Sequence, residues 1–275
     1  LYSQMEFLFQ MMEDILNTSK LTDTKRLQEI IGEIKSRGQA SLIGAGHQTA
    51  VLRGTSYASP MAKFQDEMAG VGYYKFVEDL DKNFQEKKEK IVAGLLNAVE
   101  EIIRTDSFMV SYTGERESVE QIQKLCGELK KSLPERTSQV PSVSITCEKK
   151  NEGFKTSGQV QYVAKCGNFV KKGYAYTGAL EILKVALSYD YLWINIRVKG
   201  GAYGCMSGIG RSGEGYFVSY RDPEVKKSDD IYLGIPAYLE NFEADERTMT
   251  KYVIGTISDI DTPLTPSLQG SRGLS

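Results

Sequence analysis

The sequence predicts an α+β protein in which an antiparallel β-sheet is covered by helices. Three observations carry this. Apolar residues recur at helical spacing through most of the first hundred residues. The second half mixes short alternating stretches with further helical ones. Two of those stretches, 203–209 and 216–220, face each other across a Gly-rich turn. Neighbouring strands followed by pairs of helices suit antiparallel sheets with helices on one face. No repeat of about 20–50 residues is visible.

Residues 3–17 predict a helix, with Met5, Leu8, Met12 and Ile15 in step, and 23–42 predict a second, with Leu27, Ile30, Ile31 and Ile34 on one side. Residues 44–60 carry Gly44, Gly46, Gly54 and Pro60 among small polar residues, so a break or an irregular helix is expected. Residues 61–81 read as helix through Met61, Phe64, Met68 and Val71, weakened by Gly70 and Gly72. The charge-dense stretch 79–90 is a solvated helix face. It leads into a helix with Ile91, Leu95, Ala98, Val99 and Ile102 on its apolar stripe, and a boundary between halves is expected nearby.

In the second half, 107–113 alternates as a half-buried strand, 117–133 is a helix, and 142–148 and 159–165 alternate as strands. Tyr176, Leu180, Leu183, Leu187 and Tyr191 mark a helix running to about Ile196. Ile231, Ile235, Tyr238, Leu239 and Phe242 mark another, which Pro236 should bend. Met249, Val253, Ile257 and Ile260 follow, with Asp245 as N-cap. The chain opens at Leu1 inside a buried-face helix pattern. It ends at 270–275, read as a loop, just after Pro263-x-x-Pro266. Together the ends predict a fragment of a longer polypeptide.

Composition narrows the function. At 275 residues the chain allows two domains or one large one, with core enough to need no disulfide or structural metal. Lys and Arg number 34 against 36 Asp and Glu, which argues against a dominant nucleic-acid or membrane footprint. No apolar run approaches the roughly 20 residues of a membrane-spanning helix, and the first residues show no signal-peptide pattern. The single histidine, His47, means that no His-rich metal centre can be built from this chain alone. Cys126, Cys147, Cys166 and Cys205 form no C-x-x-C pair and read as free thiols in a reducing compartment.

Gly208-x-Gly210-x-x-Gly213 matches the dinucleotide fingerprint by letter. A strand follows it rather than a helix, so no helix N-terminus is available for a pyrophosphate, and a hairpin turn is expected. His47 could in principle serve as base for Ser56, Ser59 or a cysteine, but no nucleophile elbow surrounds any serine. The strongest local signal is Arg197-Val198-Lys199-Gly200-Gly201-Ala202-Tyr203-Gly204. A helix ends in two glycines there, and a tyrosine heads the next strand. Arg197 offers a fixed fork of donors for a carboxylate or peptide carbonyl, and Tyr203 a neutral phenolic donor for a developing oxyanion. On physics alone a capped helix with an ion-paired Arg and a half-buried Tyr accounts for the segment equally well.

That segment, followed by Ser219-Tyr220-Arg221-Asp222-Pro223, resembles the C-terminal half of the presequence-protease branch of the insulinase-family (inverzincin) zinc peptidases. Gly46-His47, Arg53-Gly54-Thr55-Ser56-Tyr57-Ala58-Ser59-Pro60, Gly72-Tyr73-Tyr74 and Asp261-Thr262-Pro263-Leu264 match as well, in the same order. The resemblance covers essentially the whole chain. It implies two related α+β domains of the LuxS/metallohydrolase-like kind, the first incomplete. Residues 1–82 would be part of the third family domain, 83–106 a helical linker, and 107–275 a fourth domain truncated at its C-terminal end.

The resemblance further implies a zinc endopeptidase that degrades unstructured peptides. Zinc would be held by H-x-x-E-H on the N-terminal half of the same polypeptide, a motif this chain lacks, so no metal is expected here. Tyr203 would be catalytic, stabilising the oxyanion; Arg197 and Tyr203, with Gly200 and Gly201 beside them, would bind the substrate backbone. The expected partners are that N-terminal half and unstructured peptides, with no nucleic acid and no membrane. The implied setting is intracellular, a bacterial cytoplasm or an organellar matrix. The alternative is a non-catalytic peptide-binding or scaffold subunit of the same fold. A third reading is a self-contained hydrolase built on His47.

Overall fold

The computed structural model describes residues 4–137 and 142–274. Residues 1–3 and Ser275, which touch the first expected helix and the expected closing loop, lie outside the described residues. In chain order the helices are α1 (Met5–Thr18), α2 (Thr24–Gly44), α3 (Gly46–Ser56), α4 (Pro60–Ala69), α5 (Val71–Lys82), α6 (Phe84–Ile102) and α7 (Val119–Ser132). After β1 (Ala164–Asn168) comes α8 (Ala179–Ala186), which continues as a π-helical run, Leu187–Val198. Then follow β2 (Gly204–Ile209), β3 (Glu214–Tyr220), α9 (Val225–Leu233), α10 (Ile235–Glu240), α11 (Glu246–Ile260) and α12 (Pro266–Leu274).

The chain folds into two compact units, interleaved in sequence. One takes Leu1–Ile31, Leu80–Ser142 and Pro263–Ser275; the other takes Gly32–Asp79 and Val143–Thr262. In the first unit α1 packs against α7, and Met5, Phe84, Leu125, Leu129 and Leu133 are buried. The stretch 107–113, expected as a strand, is irregular, with Met109 and Val110 exposed. Alternation defines two faces but supplies no partner, and no strand among the described residues pairs with it. Residues 266–274, expected as a loop, form α12, which Pro266 can open because its missing N–H costs nothing at a helix start.

The second unit holds the sheet, all antiparallel, in the order β1-β3-β2. Ala164 pairs with Val218 and Gly204 with Tyr220. The fingerprint-like glycines form the β2–β3 hairpin turn: Gly210 N donates to Glu214 O (2.7 Å) and Gly213 adopts φ +94°. Cβ atoms alternate across the sheet. Cys205 and Phe217 lie on one face and pack on Leu187, Leu192 and Ile196 of the π-helical run and on Tyr232 of α9. These core residues are at most 3% exposed, and each apolar side chain so buried contributes roughly 1.5–3 kcal/mol. An i→i+5 ladder spaces one face at fours and fives, which is the 187, 192, 196 interval; Lys199 N closes it on Ile194 O (2.9 Å).

Helices cover the opposite face as well, unlike the one-sided cover expected. Cys166 there contacts α3, its Sγ 3.7 Å from Val51 O. The approach needs glycine. A Cβ on Gly54 would lie 2.6 Å from Cys166 Sγ, and one on Gly46 2.3 Å from the Tyr162 ring. The residues that predicted an irregular helix over 44–60 therefore form a regular one whose small side chains serve packing. The single helix expected over 61–81 is two. Ser59 Oγ accepts from Ala62 N to open α4, and Asp66 Oδ1 accepts from Val71 N (3.0 Å) to open α5 at the Gly70 break. Of the strands expected over 142–148 and 159–165, the first is irregular. The second is reduced to a bridge between Gln161 and Asp222 and the start of β1 at Ala164. The Asp245 cap is present, its carboxylate accepting from Thr248 N (2.8 Å), and Pro236 stands at the start of α10, where the expected helix divides.

Candidate functional site

The turn between the π-helical run and β2 is built by two nested bonds. Ala202 N donates to Ile196 O (3.2 Å) and Gly201 N to Arg197 O (3.0 Å). This is the bonding of a glycine-terminated α-helix, widened by one residue as the i→i+5 ladder requires. Gly201 takes the left-handed conformation at φ +81°. At Gly200 a Cβ would sit 2.3 Å from Ile196 O, so backbone lies where a side chain would otherwise be. Directly after the turn, Tyr203 N donates to Tyr220 O (3.0 Å) and, less closely, to Arg221 O (3.3 Å), which fixes the head of β2.

Arg197 and Tyr203 leave this turn together. The Arg197 guanidinium carbon is 5.5 Å from the Tyr203 ring centroid and 4.2 Å from that of Trp193. Tyr203 is 65% exposed, and its ring meets Tyr220 at 5.9 Å, nearly edge-on. Among the described residues neither the guanidinium nor the Tyr203 hydroxyl has a hydrogen-bond or ion-pair partner. The ion-paired Arg that a merely capped helix would show is therefore not what is seen. Nearby Cys205 is no thiolate: burial pushes its thiol up to about 11, only partly offset by Arg197.

His47 lies elsewhere along the same line of rings. Its imidazole meets Tyr220 edge-on at 4.9 Å and Tyr162 at 6.2 Å, and its Nδ1 is buried without a partner. It makes no hydrogen bond to a nucleophile among the described residues. Ser56 Oγ donates to Arg53 O (2.7 Å), Ser59 caps α4, and burial holds the Cys166 thiol up to about 12.

Two features were not foreseen from the sequence. Trp193, four residues before Arg197, stacks on it; the i, i+4 spacing was the available signal. The second is a network around Arg53. Its Nη1 donates to Asp66 Oδ2 (2.7 Å), and its Nε and Nη2 reach the two oxygens of Glu152 (2.9 and 3.2 Å). Tyr57 accepts from Arg53 Nε (3.0 Å) and donates to Glu152. Arg53 and Tyr57 hold the Glu152 carboxyl down to about 2, and burial with the Glu152 bond pushes the Tyr57 phenol up to about 12. Every donor and acceptor faces another member of the network, so it is a fastening rather than an open site.

Among the described residues no group of three or more His, Cys, Asp or Glu could hold a metal ion. The zinc that the resemblance implies does not fit this chain's own residues. Among them, too, no helix is long and apolar enough to cross a membrane.

A small antiparallel sheet under helices, with an Arg/Tyr turn at its strand head, is consistent with an insulinase-like peptidase domain. Comparison with known families makes this specific. The model "PreP C-terminal domain" matches residues 151–274, and a second model, described as a peptidase-associated region of the same branch, matches residues 1–80. The chain belongs to the presequence-protease branch of the insulinase-family peptidases, of which it carries the C-terminal domain.

It is 37% identical over 266 residues to Protein HypA of Clostridium perfringens, covering 97% of this chain and 27% of that protein. It is 30% identical over 269 residues to Presequence protease 1, chloroplastic/mitochondrial, of Arabidopsis thaliana (97% and 25%). It is 25% identical over 228 residues to the mitochondrial presequence protease of Yarrowia lipolytica (81% and 23%). The chain thus spans about a quarter of the length of these relatives.

Proposed function

We propose that this chain is the substrate-binding part of a zinc-dependent endopeptidase that degrades unstructured peptides. Arg197 anchors the backbone of an extended peptide. Tyr203 donates its phenolic hydrogen to the oxyanion that develops as the scissile carbonyl is attacked. Gly200 and Gly201 leave room for substrate backbone to approach. The observation that carries this reading is the exposed pair itself, a guanidinium and a phenol on one turn, both without partners among the described residues. Buried or spoken-for donors would serve stability; exposed ones on a doubly fixed backbone serve a ligand that brings its own acceptors.

Zinc and the attacking water belong, in this proposal, to an N-terminal half of the same polypeptide, and this chain alone is inactive. Residues 1–82, 83–106 and 107–275 are proposed as third domain, linker and fourth domain of that polypeptide. An intracellular setting is part of the same reading, and neither nucleic acid nor membrane has a place in it.

The test is cleavage of a quenched fluorescent unstructured peptide by the whole protein, with and without a zinc chelator, beside this chain alone. Chelator-sensitive cleavage by the whole protein and none by the chain is the expected result. Cleavage by the chain alone would return attention to His47. A folded whole protein that binds the peptide without cleaving it would be the scaffold subunit.

A further inference from the structure

We propose that Trp193 is a positioning residue for Arg197. Its indole face holds the guanidinium so that the N–H donors stay free for a planar acceptor on the ligand, a peptide carbonyl or a terminal carboxylate. This rests on the reading of Arg197 as the substrate anchor.

A protein can fix an arginine in two ways, and they differ in what is left over. A carboxylate uses up the donors. Arg53 is held so, by Asp66 and Glu152, and Arg104 has Asp106 within 2.9 Å. An aromatic face attracts the cation from above its plane, while the five N–H groups radiate within that plane. Arg197 is held in the second way, with its guanidinium carbon 4.2 Å from the Trp193 centroid and the Tyr203 ring as a second, looser wall at 5.5 Å. Its side chain starts from a fixed point, since its own carbonyl accepts from Gly201 N.

Core packing does not explain Trp193. Its neighbours Leu192 and Ile196 fill the core at 0% exposure, while the indole is 40% exposed. A large aromatic left at the surface beside an unpaired guanidinium has the stack as its visible contact. Without it, a long arginine side chain would sample many rotamers, and ordering it would count against substrate binding.

Trp193 is the chain's single tryptophan, so its emission reports this one stack. In the chain, Arg197→Gln should shift the emission, and an unstructured peptide should shift it in the wild type but not in that variant. In the whole protein, Trp193→Leu should raise KM roughly three- to tenfold, as loss of a partly desolvated cation–π contact would, with kcat nearly unchanged. Trp193→Phe, which keeps a ring face, should recover most of the loss and guards against a leucine variant that fails to fold. In an Arg197→Gln background, Trp193→Leu should add nothing, because the contact is already gone.

Emission indifferent to Arg197→Gln would overturn the stack. So would losses that simply add in the double variant, or a fall in kcat at constant KM. An Arg197→Gln enzyme with unchanged KM, but with the emission shift present, would remove the anchor reading itself and this inference with it. The emission separates that failure from a missing stack.

Discussion

Tyr203 keeps its phenol in the open while its backbone is fixed on both sides, by the Gly201 cap before it and the Tyr220 carbonyl after it. A donor placed in this way needs no reorganisation when charge appears beside it. Its contribution should therefore fall on the transition state rather than on binding. Tyr203→Phe in the whole protein should lower kcat by about 10²–10³ with KM little changed. Equal turnover by the two enzymes would remove the assignment; a rise in KM alone would make Tyr203 a binding group. Arg197 and Tyr203 could be singled out in the sequence because they stand six residues apart around Gly200-Gly201, so their meeting is set by local chain geometry. Glu152 could not be singled out. It reaches Arg53 across 99 residues, and nothing at position 152 announces that partner.

At the scale of elements, glycine decides two close approaches. Gly201 lies at φ +81°, where an L side chain costs about 1–2 kcal/mol. Gly201→Ala should lower stability by about that amount and reduce turnover, since Tyr203 follows two residues on. Denaturant titration and initial rates read the two effects, and an unchanged unfolding midpoint would contradict the cap. Gly54 governs the seating of α3 on β1. Gly54→Ala brings a Cβ within 2.6 Å of Cys166 Sγ, and such overpacking costs about 1–3 kcal/mol. Cys166→Ala removes the sulfur, so the double variant should be more stable than Gly54→Ala alone; simple addition of the two losses would place the strain elsewhere. The helices were largely legible in the sequence, because their apolar spacing is a property of one segment. The expected strands at 107–113 and 142–148 were not, because a strand also needs a partner, and alternation says nothing about whether one is present. Glycines at 46 and 54 misled for a related reason: they are breakers in isolation and contact surfaces once β1 is beside them.

At the scale of the molecule, the sheet-bearing unit is assembled from two stretches separated by more than sixty residues of the other unit. The Arg53 network fastens those stretches, joining α3 and α4 to Glu152. Its charges predict how stability follows pH. Glu152 titrates at about 2 in the fold against an ordinary 4.5, chiefly because Arg53 and then Tyr57 bond to its charged form. Between those values the unfolded chain binds the proton more readily. The contribution is therefore complete above about pH 4.5 and drains as pH falls towards 2. Tyr57 sets the other limit. Burial favours its neutral phenol and lifts it from 10 to about 12, so its contribution is complete below pH 10 and lost as pH rises towards 12. Glu181 and Asp245 are also held low by their own hydrogen bonds, so acid weakens the chain even without Glu152. Glu152→Gln isolates the one group. Urea unfolding at pH 7 and at pH 3 should find the variant less stable at pH 7 and its loss between the two pH values smaller than the wild type's. Parallel losses in both proteins would mean that the carboxylate is not what ties the two stretches together.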